Sequence, residues 1–233
     1  MFIVEGNIGT GKSTFLTALQ KSLLQTTVTL EAVEYWQHQS NGQSILQSFY
    51  QEPHRFAYSM ETIALKMRIK EHIKQQASLL PNIVERSIYS GYHCFAHNSF
   101  EQGFLNRLEW NMYNAWFNFL TSKQCLPPVG FIYLRAQPEL SYQRTVQRQR
   151  DAEKSISFDY LQQIHDKHEA FLIDKQNIHP SIKDVPVLVL DCNYDLVTDK
   201  NKLLDYTQQV QQFIKTHSQK TAVFTTAQHS ITL

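Results

Sequence analysis

Short runs of apolar residues alternate along the chain with longer segments in which apolar residues recur every three to four positions. A short apolar run bounded by polar residues predicts a buried strand, whereas the longer spacing predicts an amphipathic helix. Strands separated by helices predict an α/β fold, with a parallel five-stranded sheet covered by helices on both faces. The predicted strands are residues 2–5, 27–30, 82–85, 130–134 and 187–191.

One predicted helical segment, residues 105–120, carries a stripe of large apolar side chains at helical spacing. Such a stripe is typical of a helix packed in the core or in a subunit interface, and the sequence leaves both open. The stripe consists of Leu105, Leu108, Met112, Trp116, Phe119 and Leu120.

The end of the chain differs from the rest. From His217 the helical spacing is lost, and Thr and Ser become frequent. Neither an internal repeat nor a linker divides the preceding sequence. We therefore expect one domain at residues 1–216 and a flexible or loosely docked tail at residues 217–233.

Composition narrows the class of protein. The 233 residues are 42% hydrophobic and carry a formal net charge of +1, so nothing favours a nucleic-acid or membrane partner. Three cysteines without C-x-x-C spacing suit a reducing compartment. With neither a membrane-length apolar run nor a secretory signal, and with a strand predicted from residue 2, we expect a cytoplasmic location.

A glycine-rich segment follows the first predicted strand. Residues 6–13 fit the pattern of Gly, four residues, Gly, Lys and Ser or Thr that forms a phosphate-binding loop. Its glycines let backbone N–H groups turn toward phosphate oxygens, and the start of the next helix favours negative charge. Lys12 would reach the outer phosphates of a nucleoside triphosphate, and Ser13 would ligate Mg²⁺. The predicted phosphate-binding residues are Gly6, Asn7, Ile8, Gly9, Thr10, Gly11, Lys12, Ser13 and Thr14.

Charged residues lie at the ends of two further predicted strands. Glu31 follows the second strand, and Glu85 and Arg86 lie at the end of the third. Ligands of parallel sheets bind at the carboxyl ends of the strands, so we expect these groups beside the phosphate loop. A kinase needs there a base for the acceptor hydroxyl, a metal, and cations around the transferred phosphoryl group.

Three arginines, Arg144, Arg148 and Arg150, follow the fourth predicted strand at close spacing. The first two stand one helical turn apart. Such a series forms either a solvated helix face or a lid whose guanidinium groups stabilise charge on the transferred phosphoryl group. Spacing alone does not decide between these two uses.

Several longer motifs occur in order along the chain. They are GNIGTGKST, Glu-x-Val-x-x-Trp at 31–36, Leu-x-x-x-Tyr at 46–50, VERSIYS, FIYLRAQPE, the arginine series, YLQQIHDKHEAFLI and VPVLVLDCNYD. This order resembles the deoxynucleoside kinases, among them the deoxycytidine, deoxyguanosine, mitochondrial thymidine and insect multisubstrate enzymes. The resemblance covers residues 2 to about 213. It implies a P-loop nucleoside kinase fold with an arginine-rich lid, ATP–Mg²⁺ as phosphoryl donor, a deoxynucleoside substrate and a homodimer.

The resemblance implies catalytic and metal-binding roles for individual positions. Glu31 matches the general base that takes the proton from the 5′-hydroxyl, and Arg86 matches the arginine that holds this base and the 5′-oxygen. Lys12 belongs to the catalytic group through its phosphate contact. Glu85 matches the carboxylate that binds Mg²⁺ together with Ser13.

The resemblance also implies which surfaces hold the sugar, the base and ATP. Tyr50 and Glu153 match the pair that binds the sugar 3′-hydroxyl. The positions that match the base slot are Ile8, Val33, Trp36, Leu46, Phe49, Met60 and Phe95. Arg144, Arg148 and Arg150 match the lid, and residues 191–196, with Asp191 and Asn193, match the loop around the adenine of ATP. An apolar slot grips a flat base while a few polar groups orient it.

Two positions depart from the family pattern. Ala32 stands where the family usually has proline, and Glu61 replaces the glutamine that reads the base edge. An ionised carboxylate only accepts hydrogen bonds, so we expect amino-bearing bases to be preferred over thymine. Arg68 would favour that ionised form, and Gly91 replaces the aspartate that accompanies this arginine in deoxycytidine kinase. The alternative is a salt bridge that turns Glu61 away from the base toward Arg68.

Two other functions compete with this interpretation. A nucleoside monophosphate kinase shares the loop and sheet, but its acceptor phosphate is already ionised and needs cations rather than a base at Glu31. A GTPase-type switch would carry an Asn-Lys-x-Asp guanine reader and an Asp-x-x-Gly motif, and the sequence has neither.

Two histidine pairs have a spacing that would place both members on one helix face. These pairs are His93 with His97 and His165 with His168. Because the sequence shows no companion cluster of Cys or carboxylates, we expect no metal other than Mg²⁺.

Overall fold

Five parallel strands form one sheet in the order β2-β3-β1-β4-β5. The computed structural model describes residues 1–23, 25–37, 44–194 and 198–229, with side chains of the last helix described to residue 218. The strands are β1 (Phe2–Glu5), β2 (Thr27–Thr29), β3 (Asn82–Glu85), β4 (Gly130–Arg135) and β5 (Val187–Asp191). Phe2 of the central strand pairs with Ile83 on one side and with Gly130 on the other.

The predicted α/β fold is confirmed, and the strand bounds agree closely with the prediction. Strands β1, β3 and β5 have the predicted ends, whereas β2 ends one residue earlier, at Thr29, and β4 continues one residue further, to Arg135. All four residues of β1 are buried, as are those of β3, because helices cover both faces of the sheet. Because both faces of these central strands are buried, their sequences are nearly continuous runs of apolar residues.

Ten α-helices connect and cover the strands in the described part of the chain. They are α1 (Lys12–Ser22), α2 (Glu34–Gln37), α3 (Ile45–Gln51), α4 (Pro53–Gln76), α5 (Ile88–Ser90), α6 (His97–Glu101), α7 (Arg107–Lys123), α8 (Pro138–Arg148), α9 (Phe158–His168) and α10 (Lys200–His229). Two π-helical segments, Gly91–Ala96 and Glu169–Ile173, join α5 to α6 and extend α9. Short 3₁₀ turns occur at Asp151–Glu153 and Pro180–Ile182.

Local sequence signals set several helix starts. Pro53 and Pro138 begin α4 and α8, where the missing N–H of proline costs nothing. Asn106 and Glu109 form a capping box at the start of α7. Ser87 caps α5 by accepting hydrogen bonds from two backbone N–H groups, which fixes the direction of the chain directly after Glu85 and Arg86.

Three buried clusters hold the layers together. One packs α1 and α10 against a face of the sheet, and a second packs α5 and α7 against the opposite face. The third cluster includes Trp36, Phe49 and Met60 and lies between α2, α3 and α4. This third cluster forms a wall beside the carboxyl ends of β1, β2 and β3.

The apolar stripe at 105–120 does not lie wholly in the core. Leu105 is buried but precedes α7, whereas Leu108, Met112, Trp116 and Phe119 are between 46% and 68% exposed. The helix instead buries the opposite face, which carries Tyr113, Phe117 and Thr121. Four large apolar side chains therefore form an exposed surface along α7.

The last helix, α10, runs to His229 and so includes most of the predicted tail, while residues 230–233 lie outside the described part. The division between residues 216 and 217, and a flexible or loosely docked tail after it, stay predictions. None of the described helices is both long and apolar enough to cross a lipid bilayer.

Candidate active site

A cavity of about 200 Å³ opens at the carboxyl ends of β1 and β3, beside the start of α1. All thirteen predicted nucleoside-binding residues line it: Ile8, Glu31, Val33, Trp36, Leu46, Phe49, Tyr50, Met60, Glu61, Arg68, Arg86, Phe95 and Glu153. The phosphate-loop residues that line it are Ile8, Gly9, Gly11, Lys12, Ser13 and Thr14, and Glu85, Arg148 and Arg150 line it as well. The topology thus brings together residues that lie far apart in the sequence, from the phosphate loop to α9.

The phosphate loop is held in shape by its own polar groups. The Asn7 side chain donates to the carbonyl of Leu161 on α9 at 2.8 Å, and the Thr10 hydroxyl donates to the Asn7 carbonyl. Gly9 has φ of 81°, and a Cβ there would lie 2.2 Å from the Ser141 carbonyl of α8, so the loop and α8 meet in a contact that only glycine permits. Gly6, Asn7 and Thr10 lie behind the cavity surface and support its shape.

Lys12 lies against the loop that precedes it. Its Nζ donates to the carbonyls of Gly6 at 3.0 Å and Asn7 at 2.6 Å. Burial, together with the nearby Arg86 charge, lowers the pKa of Lys12 to about 7, although Glu85 and Glu31 act in the opposite direction. Negative charge on a bound phosphate would favour the ammonium form.

Ser13 and Glu85 form a compact pair of oxygen ligands. The Ser13 hydroxyl donates to Glu85 Oε1 at 2.9 Å, and Glu85 Oε2 accepts the backbone N–H of Glu31 at 3.2 Å. Hydroxyl and carboxylate oxygens suit Mg²⁺, which commonly takes one or two protein ligands and completes its shell with phosphates and water. Within the described ranges there is no cluster of three or more His, Cys, Asp or Glu side chains fit to hold a metal by themselves.

Glu31 lies between two guanidinium groups. Its Oε1 accepts from Arg68 Nε at 3.0 Å and Nη2 at 2.7 Å, while its Oε2 lies 3.2 Å from Arg86 Nε. Burial acts to raise the pKa of Glu31, but the Arg68 and Arg86 charges outweigh it and hold the pKa below its usual value. The carboxylate is therefore ionised at neutral pH and lies in the same cavity as Lys12 and Ser13.

Arg86 reaches this position through an unusual backbone conformation. Its φ is 63°, in the left-handed region that non-glycine residues rarely adopt, and its N–H donates to the Val4 carbonyl at 2.9 Å. The guanidinium packs 4.7 Å from the centre of the Phe95 ring. Strained residues of this kind cluster at functional sites, where the surrounding structure holds them in place.

The predicted base slot is apolar and largely buried. Trp36, Leu46, Phe49 and Met60 are each less than 9% exposed. Sequence reasoning missed two lining residues, Ala64 and Tyr160. Ala64 lies one helical turn beyond Met60 on α4, so helical spacing could have revealed it. Tyr160 is brought in by α9 from a distant part of the chain, and no local signal marks it.

Glu61 is 3% exposed and lines the cavity, as the other predicted nucleoside-binding residues do. Its Oε1 accepts from the Ser99 hydroxyl at 3.2 Å, a partner that sequence reasoning also missed. Although both side chains are described, no ion pair joins Glu61 to Arg68, whose partner is Glu31, so the alternative of a Glu61–Arg68 salt bridge is not observed. Burial raises the pKa of Glu61 to about 7, while the Arg68 charge acts in the opposite direction, toward the ionised form, as the sequence led us to expect.

Two of the three arginines predicted for a lid line the cavity. Arg148 Nη2 and Arg150 Nη1 both bind the Glu153 carboxylate, the second at 3.4 Å. Tyr50 lines the same end of the cavity, where burial and the Glu153 charge raise the pKa of its hydroxyl. Tyr50 is therefore a neutral hydroxyl near a carboxylate that already has cationic partners.

Arg144 lies apart from the cavity. It donates to the carbonyls of Cys192 at 2.9 Å and Tyr194 at 2.8 Å, and so ties α8 to the loop after β5. Asp191 and Asn193 belong to the same loop, in which Asn193 Oδ1 accepts the Gln137 N–H. These three predicted ATP-binding residues form a separate group beside α8, and residues 195–196 of the predicted adenine loop lie outside the described part.

Comparison with known proteins identifies the family of the chain. Residues 2–215 match the family model for deoxynucleoside kinase. The chain is 32% identical to deoxycytidine kinase 2 of Gallus gallus (91% of this chain, 89% of the relative) and 31% identical to deoxycytidine kinase of Homo sapiens (91% and 90%). It is 34% identical to mitochondrial deoxyguanosine kinase of Xenopus laevis over 82% of this chain and 81% of that protein. The chain belongs to the deoxynucleoside kinase family.

Proposed function

We propose that the chain transfers the γ-phosphoryl group of ATP to the 5′-hydroxyl of a deoxyribonucleoside, as a step of nucleotide salvage. One observation carries the proposal: the ionised Glu31 carboxylate, held by two arginines, opens into the same cavity as the phosphate-loop residues Lys12 and Ser13. A hydroxyl acceptor must lose a proton when it attacks phosphorus, and a carboxylate within reach can take it. The kinase relatives and the family match support the same reaction.

The chain's own residues divide the work of the transfer. Glu31 accepts the proton of the 5′-hydroxyl, and Arg86 keeps that carboxylate in position from its strained backbone site. Lys12 and the loop N–H groups bind the donor phosphates. Ser13 and Glu85 would hold Mg²⁺, which neutralises developing charge on the phosphates when bound.

The far end of the cavity binds the nucleoside. Tyr50 and Glu153 bind the sugar 3′-hydroxyl, since both line the cavity and one supplies a neutral hydroxyl while the other supplies an acceptor. Trp36, Phe49 and Phe95 enclose the flat base. Wherever Glu61 is ionised it favours amino-bearing bases over thymine, because a carboxylate repels the carbonyls that flank thymine N3–H.

Arg144, Arg148 and Arg150 belong to a lid over the ATP phosphates, and Asp191 and Asn193 to the adenine loop. Support comes from Arg148 and Arg150, which line the cavity, and from Arg144, which joins the lid helix to that loop. Phosphate oxygens would compete with Glu153 for the two cavity arginines.

The exposed surface of α7 serves in a homodimer. Leu108, Met112, Trp116 and Phe119 present a continuous apolar strip on one helix face, a composition typical of subunit contacts. Sedimentation at micromolar concentration tests this: the native chain should sediment as a dimer, and Trp116→Glu should weaken the dimer. A native chain that sediments as a monomer, with the same sedimentation in Trp116→Glu, contradicts the proposal.

A cytoplasmic location is also proposed, because all three cysteines are buried free thiols.

One assay separates the proposed reaction from its rivals. Consumption of ATP with Mg²⁺ is measured with each of the four deoxynucleosides, with deoxynucleoside monophosphates, and without an acceptor. The proposal expects 5′-monophosphate products from deoxynucleosides alone. Turnover confined to monophosphates indicates a nucleoside monophosphate kinase, and nucleotide binding without transfer in any arm indicates a switch.

A further inference from the structure

Glu61 is a buried carboxyl in the wall of the base slot. It lies on α4, one residue after Met60 and one turn before Leu65, with 3% of its surface exposed. The groups that face it come from five helices: Tyr50 on α3, Arg68 on α4, Ser99 on α6, Tyr113 on α7 and Tyr160 on α9. The three tyrosines are neutral hydroxyls, because burial raises the pKa of each. Among these described groups, Arg68 is therefore the positive charge available to Glu61.

Arg68 is engaged elsewhere. Its Nε and Nη2 both bind Glu31 Oε1, at 3.0 and 2.7 Å. Its third nitrogen, Nη1, lies 2.8 Å from the point where a Cβ on Gly91 would be, so the missing side chain of Gly91 makes room for the guanidinium. The guanidinium is thus fixed by the catalytic carboxylate and by close packing, and Glu61 keeps the Ser99 hydroxyl as its hydrogen-bond partner.

A carboxyl in this position has a strong reason to keep its proton. A buried carboxylate needs an ion pair or several donors to offset the loss of hydration, and a single hydroxyl at 3.2 Å supplies little of this. Burial accordingly raises the pKa of Glu61 to about 7. The neutral acid carries one O–H donor and one carbonyl acceptor. A glutamine amide has the same carbonyl acceptor and two N–H donors, so the acid differs from it by one donor hydrogen.

We propose that Glu61 reads the edge of the nucleobase as an un-ionised carboxylic acid, donating one hydrogen bond and accepting another. This inference rests on the proposed function of the slot. Either oxygen of the acid can carry the proton, so the same side chain fits the N3–H and O4 of thymine or the N3 and amino group of cytosine. The slot then accepts carbonyl-bearing and amino-bearing bases alike. Loss of the proton removes the donor and leaves the preference for amino-bearing bases.

The proposal fixes the sign of a pH effect. As the pH rises through about 7, Glu61 passes from acid to carboxylate. Thymine then has two carbonyls near a charge that repels them, whereas cytosine still offers its amino hydrogens. Thymidine affinity should fall relative to deoxycytidine affinity by about tenfold or more, a size that one unfavourable buried polar contact produces.

The test is equilibrium binding of thymidine and deoxycytidine to the full chain without ATP, from about pH 6 to about pH 8.5, where neither base changes its own charge. The ratio of the two dissociation constants is the readout, because effects of pH on the shared sugar and phosphate regions cancel in it. The native ratio of thymidine to deoxycytidine Kd should rise about tenfold, and in Glu61→Gln it should stay within about twofold. A flat native ratio, or an equal rise in Glu61→Gln, overturns the proposal.

A second variant guards against a fold defect in Glu61→Gln. Ser99→Ala removes the hydroxyl that stabilises the carboxylate, so the change in the Kd ratio should move to higher pH. An unmoved midpoint overturns the proposal. Phosphoryl transfer is measured in a separate assay. Absence of turnover with every deoxynucleoside overturns the proposed function, while the ratio of dissociation constants still decides whether Glu61 is protonated. If neither nucleoside binds at any pH, the slot is wrongly assigned and both proposals fall.

Discussion

Two carboxyl groups line one cavity, Glu31 with 11% and Glu61 with 3% of the surface exposed, and their pKa values move in opposite directions. Glu31, at the phosphate end, has two arginines on its oxygens, which hold its pKa below the usual value. Glu61, at the base end, has one hydroxyl, and burial raises its pKa to about 7. Burial alone therefore does not decide the charge of a carboxyl; the partners on its oxygens do. In the proposed mechanism this difference separates the proton acceptor, Glu31, from the group that reads hydrogen-bond patterns, Glu61.

The largest test of this contrast is at Glu31. The amide of Glu31→Gln keeps the shape of the side chain but cannot take a proton, so kcat should fall by about 10²–10⁴-fold. Nucleoside affinity, measured by titration without ATP, should change little. Glu61→Gln is the matched control, because the same chemical change at the base end should leave kcat for deoxycytidine within about tenfold of the native value. Equal losses of kcat in both variants would remove the proposed division of roles.

Lys12→Ala probes the phosphate end alone. Removal of a fixed cation from the transferred group should lower kcat by about 10²–10³-fold with every deoxynucleoside, and without a change in their ranking. Steady-state assays with the four deoxynucleosides provide the measurement. A variant with nearly native kcat, or one that changes base preference, would contradict the separation of the two ends.

The stability of Glu61→Gln tests the base end. A carboxyl whose pKa rises from 4.5 unfolded to about 7 folded stabilises the protein fully below pH 4.5, and this contribution is lost as the pH rises through 7. The loss amounts to roughly 3 kcal/mol. Glu61→Gln has no such titration. In urea unfolding, the difference between its free energy of unfolding and that of the native chain should therefore shift in favour of the variant from about pH 5 to about pH 8.5.

The exposed Glu52, whose side chain is 62% accessible, supplies the control for that experiment. Glu52→Gln makes the same chemical change at a surface carboxyl, which lies 3.8 Å from Arg55 Nη1, and so reports the effect of the substitution outside the buried slot. A parallel pH profile for native, Glu61→Gln and Glu52→Gln proteins would mean that Glu61 is ionised in the fold.

The smallest expected effect lies between the two ends, at the sugar. Without a 3′-hydroxyl, Tyr50 loses a partner, which costs about 1–3 kcal/mol, whereas Glu153 keeps Arg148 and Arg150 as partners. 2′,3′-Dideoxynucleosides should therefore show a lower kcat/KM than their parents, and Tyr50→Phe should narrow this difference. Equal kcat/KM values for both kinds of nucleoside would remove Tyr50 and Glu153 from the sugar site.

The phosphate end of the site could be predicted almost fully from the sequence, and the base end only in part. Residues 6–13 act through a contiguous motif, and the neighbouring strands β2 and β3 end shortly before Glu31 and at Glu85. The partner of Arg68 was not predictable, because the choice between Glu31 and Glu61 depends on tertiary distances. Ser99 and Tyr160 come from distant helices, and the helical residues beyond His217 carry no strong periodicity.

The packing of Arg68 against Gly91 has a consequence for how variation at these positions would be felt. A methyl group at position 91 would meet the end of the Arg68 side chain at 2.8 Å, and a flexible guanidinium can move aside. The fold would tolerate that move, but Glu31 would lose two of its hydrogen bonds. The effect of a substitution at position 91 should thus depend on the residue at position 68. With Arg68 present, the substitution should leave expression unchanged and lower turnover. Once Arg68 has been replaced, the same substitution should have no further effect on turnover.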